Sequence, residues 1–214
     1  MLFRSPYGSA VLVLAKGPRT SRPPSSAAPL PALDLSTGWR VTFRETKATE
    51  QMETLRSWTN GENSRFYSGV AVYSKEVNVP AGYVSGRLRL DFGEGKPIAK
   101  TPGMGYQALL EAPVREAAVV YVNARRAGAV WCPPYSVDVT RMLRPGRNLI
   151  SIEVGNLAVN YMAGHPLPDY RALTERYGER FQAQDLDKIK PVPAGLLGPV
   201  RRSEERRVGK ECRL

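Results

Sequence analysis

"AAVVYVNARRAGAVW", residues 117–131, decides how this chain is read. Ala118, Val120 and Val122 alternate with their neighbours, and a polar break follows at "NARRAG", residues 123–128. A second apolar run then ends at Trp131. Alternate side chains of a strand point to opposite faces. The stretch is therefore predicted to be a β-hairpin with its turn in residues 123–128. The next stretch, "VWCPPYSVDVT" at 130–140, raises a choice between a reactive thiol, half of a metal site and the corner of a sandwich. Two prolines lack backbone donors and favour extended chain at a sheet margin. Cys132 has only apolar neighbours, with no helix N-terminus or cation in sequence to lower its pKa. It reads as a buried structural thiol.

Outward from the hairpin the same period recurs. "WRVTF" (39–43), "FYSGVAVYSKEVNV" (66–79), "SVDVT" (136–140) and "NLISIEVGN" (148–156) are predicted strands. In "GRLRLDFG", residues 86–93, Leu88, Leu90 and Phe92 share one face, and Arg87, Arg89 and Asp91 take the other. "RMLRPGRN", residues 141–148, reads as one helical turn followed by a Pro-Gly turn. Helical spacing emerges only in "DYRALTERYGERFQ", residues 169–182, where Asp169 is a candidate N-cap. Short strands separated by Gly/Pro turns predict an all-β fold, a sandwich or jelly roll.

Composition separates the ends from this body. Residues 6–15 read as a strand, the last of a preceding β domain absent from the chain. "KGPRTSRPPSSAAPLP", residues 16–31, reads as an extended linker. The expected organisation is 1–15 as that remnant, 16–32 as linker, 33–160 as the sandwich, 161–201 as an extension packed on it, and 202–214 as a tail. "RSEERRVGKEC", residues 202–212, resembles the translation of a short-read sequencing adapter, and "MLFRS", residues 1–5, resembles another. Both are set aside in predicting the fold.

The formal charge is +11. Without those ends 25 basic and 17 acidic residues remain, a balance of +8. They are scattered, with no basic helix face carrying aromatics, so a nucleic-acid partner is not expected. No run of 18 apolar residues occurs, and no membrane span is expected. "SAVLVLA", residues 9–15, is too short to span and is followed by no small-residue cleavage site.

Candidate chemistry is sparse. Cys132, with Cys212 in the tail, and the single His165 cannot make a zinc set, so no metal and no cofactor are expected. His165, before Pro166, reads as a loop residue. The glycine-rich 93–105 lacks the spacing of a phosphate loop. Glycoside hydrolysis uses two carboxyls across the scissile bond. Glu94, Glu111, Asp138 and Asp185 are candidates, but none pairs with another by sequence, and no catalytic residue is assigned. Asp138 alternates with valines, which places it on a polar face or in a turn. Trp58, Tyr67 and Trp131 are the candidate carbohydrate contacts, because aromatic faces stack on sugar rings. Burial is the commoner fate of such rings, and Trp131 in particular reads as core.

The order of "FYSGVAVYSKEV", "LRLDFG", "VYVNARRAGAVWCPPYSVDVTRMLRPGRNLISIEVGNLAVN" and "GLLGPV" resembles the C-terminal part of bacterial glycoside hydrolases of the α-L-rhamnosidase-like kind, glycoside hydrolase family 106. The resemblance covers residues 33–201 and is most specific over 119–156. It implies a galactose-binding-like jelly-roll sandwich, without catalytic residues of its own, packed on an upstream catalytic barrel absent from this chain. The parent would hydrolyse O-glycosidic bonds and is often periplasmic or secreted. The rival resemblance is to the β-galactosidase and β-glucuronidase group, which implies a carbohydrate-binding module. Two departures stand out. The hairpin carries Asn123-Ala124 where such domains usually read Asn-Gly, and alanine resists positive φ. Residues 94–113 look like an insertion.

Overall fold

In a computed structural model, the structure describes residues 31–84, 86–98, 110–166, 169–179 and 189–204. The expected strand at 6–15, the linker through residue 30 and residues 205–214 lie outside them.

The alternation read from the sequence becomes two antiparallel sheets. The larger has six strands: β2 (Thr37–Phe43), β3 (Thr49–Thr54), β4 (Val70–Val79), β9 (Ala117–Val122), β10 (Arg125–Val130) and β12 (Gly146–Gly155). Their order is β10-β9-β12-β4-β2-β3. β4 and β12 pair over ten residues, from Val70 opposite Gly155 to Val79 opposite Gly146. The second sheet has the order β1-β14-β5-β11, from β1 (Leu33–Asp34), β5 (Leu88–Asp91), β11 (Ser136–Asp138) and β14 (Arg201–Glu204). Two short ladders join β13 (Gly195–Leu196) to β8 (Val114–Arg115) and β6 (Lys96–Pro97) to β7 (Leu110–Glu111). Among the described residues, two helices follow β12: α1 (Val159–Gly164) and α2 (Tyr170–Tyr177).

The core lies between the two large sheets. Trp39, Val41 and Phe43 of β2, Ala118, Val120 and Val122 of β9, and Ile150, Ile152 and Val154 of β12 are buried from one side. Leu88 and Leu90, with Phe92 just after β5, close it from the other. Each such side chain contributes about 1.5–3 kcal/mol relative to exposure, which is why period 2 is obeyed so strictly on the inner faces.

Several predicted boundaries change. The strand expected over 66–79 begins at Val70. Before it, the Asn156 side chain accepts the Gly69 N–H at 2.9 Å and donates to the Tyr67 carbonyl at 2.9 Å, diverting the backbone from a ladder. The hairpin turn shrinks from 123–128 to Asn123-Ala124, with φ of 51° and 63°. Val122 faces Arg125, so this is a two-residue turn of type I′ hand. The alanine takes the left-handed conformation after all, and the strand then carries a bulge between Arg126 and Gly128.

The helical turn expected in 141–148 is an irregular turn. Arg141 has φ 61°, and the buried Asn148 amide takes the local polar groups, accepting from Arg144 N–H at 3.0 Å and donating to its carbonyl at 2.7 Å. α2 stops at Tyr177, short of 182, because Gly178 at φ 82° donates its N–H to Thr174 and ends the helix. Its N-cap is Asp169, accepting from Arg171 N–H. α1 has no counterpart in the predicted elements.

Three of the residues set aside in predicting the fold lie in a strand. Arg202–Glu204 belong to β14, between β1 and β5, with Leu33 opposite Arg202 and Arg202 opposite Leu90. Strand alternation points the Arg202 side chain inward, where its guanidinium lies 4.5 Å from the Tyr83 ring centre.

Candidate functional site

The three candidate aromatics separate. Trp58 is fully buried. Its Nε1 donates to Tyr73 Oη at 2.6 Å, and its ring meets Phe43 and Tyr67 edge-on at 5.5 Å. Tyr67 is buried too. Its hydroxyl donates to the Val70 carbonyl at 2.7 Å and bonds the Glu45 carboxylate. Both rings are covered by protein, so a sugar has no face to stack on.

The packing there tolerates nothing larger than glycine at 195: a Cβ on it would fall 2.5 Å from Trp58 Nε1 and 2.6 Å from Tyr73 Oη. Burial pushes the Tyr73 phenol up to about 12, so this hydroxyl stays neutral and serves as a hydrogen-bonding post for Trp58 and for Leu196 N–H at 3.3 Å.

Trp131 and Cys132 reverse the expectation. Trp131 is 72% exposed, and the Cys132 thiol is exposed. The last ladder residue of β10 is Val130, opposite Ala118. Beyond it the chain leaves the sheet through Pro133-Pro134, and the next buried side chain is Tyr135. With Val130 and Ala118 buried, alternation turns the next residue outward, on the side where Ala117 is exposed, so period 2 itself places Trp131 on the outer face.

The candidate acids lie as follows. Asp138 Oδ1 accepts the Thr140 N–H at 2.8 Å, and bonds from Thr140 hold its carboxyl below the usual range. The Ser36 hydroxyl and N–H do the same for Asp34, and Arg147 for Glu76. A general acid needs the opposite displacement. Glu94 and Glu111 are exposed, Glu94 just before β6 and Glu111 within β7 opposite Lys96. Asp185 lies outside the described residues. His165 is exposed, stacked at 3.7 Å on Tyr161.

No group of three His, Cys, Asp or Glu that could hold a metal occurs among the described residues. A cavity of about 10 Å³, lined by Leu33, Leu90, Val122, Leu143, Ile150 and Arg202, is no larger than one water and takes no ligand.

What remains accessible is one end of the sandwich. The loops there carry Trp131, Phe66 and the start of α1. This surface offers apolar contact and ring stacking. No sequence signal marked α1, because "LAVNYMAGH", residues 157–165, spans too few turns for a helical period to show.

No protein-family model matches the chain. A protein of Formosa agariphila described as "Putative beta-glucuronidase" is 29% identical over 177 residues, which cover 78% of this chain and 13% of that protein. The solved rhamnosidase of Novosphingobium sp. PP1Y superposes with a TM-score of 0.57 at 26% identity, over 86% of this chain and 16% of that one. The fold is thus an antiparallel β-sandwich of the kind found in glycoside hydrolases. The chain is similar to such enzymes over a small part of their length.

Proposed function

We propose that this chain is the non-catalytic, galactose-binding-like C-terminal sandwich of a larger glycoside hydrolase resembling the α-L-rhamnosidases of family 106. In this reading the parent hydrolyses an O-glycosidic bond in an upstream barrel, and the sandwich buttresses that barrel. One observation carries the reading: 86% of this chain aligns with only 16% of the rhamnosidase chain. The test is p-nitrophenyl α-L-rhamnoside supplied to the full 214-residue chain. No turnover is expected, and saturable turnover would overturn the reading.

A second reading, a carbohydrate-binding module like those of the β-glucuronidase group, is favoured by the exposed ring of Trp131. Calorimetric titration with rhamnose, galactose and glucuronic acid tests it. Heat of binding lost in Trp131→Ala would establish it, and absence of heat with every sugar would remove it.

A further inference from the structure

We infer that the end of the sandwich bearing Trp131 and α1 is the face that packs on the catalytic part of the parent, an inference resting on the proposed function above.

Strand register defines that end. Val130 pairs with Ala118, Ala117 with Gly155 and Gly155 with Val70, while the Arg44 N–H donates to the Val70 carbonyl. The loops leaving these positions therefore emerge together. Of eight large apolar side chains exposed among the described residues, five lie in them: Phe66, Trp131, Leu157, Tyr161 and Met162. Leu149, by contrast, points outward near the opposite end of β12. Exposed apolar groups scattered singly need no explanation, but a concentration on one face marks an interaction surface.

The patch is preformed. Ser68 Oγ donates to the Leu157 carbonyl at 2.9 Å and accepts the Tyr161 N–H at 2.8 Å, tying α1 to the loop before β4. Gly164 packs so closely on Phe66 that a Cβ would fall 2.3 Å from its ring.

The chemistry selects a protein surface as occupant. Two ion pairs lie around the end, Arg44 with Glu153 and Arg115 with Glu116, and the Tyr67 hydroxyl donates to the Glu45 carboxylate. Leu157 and Met162 offer no hydrogen bonds to a sugar. In the solved rhamnosidase, most of the chain lies outside the 16% that this chain matches, and the remainder is the body we take as the occupant. Interfaces between domains of one chain bury about 600–1,500 Å² and resemble such a patch.

The experiment mixes the full chain with Novosphingobium rhamnosidase from which the matched segment has been deleted. Size-exclusion chromatography with light scattering detects the complex, and calorimetry gives its Kd. The expected result is a saturable one-to-one complex. It should weaken about tenfold or more in Leu157→Asp/Tyr161→Asp and stay unchanged in Leu149→Asp. Circular dichroism checks folding, and Leu157→Asp alone, at a side chain already 52% exposed, replaces the double variant if that one unfolds.

Equal affinity in all variants would overturn the choice of face and leave the proposed function standing. No complex with a truncated rhamnosidase that circular dichroism shows to be folded would overturn the inference, while the proposed function stands or falls on the turnover assay. A dimer of the chain alone that the same substitutions dissolve would assign the face to a second copy and overturn the inference.

Discussion

Replacing Ala124 with glycine should stabilise the protein, against the usual sign for glycine in a folded chain. Ala124 holds φ 63° in the Asn123-Ala124 turn, where its Cβ crowds the backbone. The left-handed conformation costs an L-residue roughly 1–2 kcal/mol. Glycine adopts it freely but enlarges the unfolded ensemble, which offsets about 0.4–1 kcal/mol of the gain. The side chain is exposed, so no packing is lost. The net expectation is about 0.5–1 kcal/mol of added stability. For a chain of this length that is a rise in Tm of roughly 1–4 °C.

Thermal unfolding followed by circular dichroism reads this directly, and urea unfolding with an unchanged m-value confirms it. Ala129→Gly is the contrast. Ala129 is exposed in β10 opposite Val119, in extended backbone. Glycine there should lower stability by about 0.5–1 kcal/mol. A fall in Tm for both variants would refute the reasoning, because it would mean that the turn does not hold residue 124 at positive φ.

Other perturbations probe the core and the exposed loop. Tyr73→Phe removes the acceptor of two buried donors, Trp58 Nε1 and Leu196 N–H, and should cost about 1–3 kcal/mol in urea unfolding. Asn148→Ala strips a buried amide that bonds Asn123, Arg144 and Gly146, and about 2–3 kcal/mol should be lost by the same measurement. Asp138 has its folded pKa depressed below the ordinary 3.8, so its contribution is present at neutral pH. That contribution is lost as pH falls through 3.8 and below. Asp138→Asn should therefore flatten the acid limb of a Tm-versus-pH curve, and an unchanged limb would contradict the assignment. Native protein should react with a thiol reagent at Cys132 without denaturant, and Cys132→Ser should lower the native count by one.

The inner faces were legible because alternation is a local property. Leu88, Leu90 and Phe92 could be placed together from eight residues of sequence, and they are buried together. The extent of the hairpin was legible except at its turn, where arginines and glycine suggested a longer loop than Asn123-Ala124 forms. The candidate site was scarcely legible. Trp58, Tyr67 and Trp131 are chemically alike in sequence, and only packing against Phe43, Tyr73 and Gly195 decides that two of them are covered.

Sequence by itself determined that this is an antiparallel all-β chain and which side chains of each strand face inward, since both follow from a two-residue period. Tertiary structure alone decided where strands stop and which residues stay outside. Asn156 ends the run before β4 from 87 positions away, and Arg202 finds Tyr83 from the far end of the chain. These outcomes depend on partners far along the chain, and no local pattern encodes such a partner.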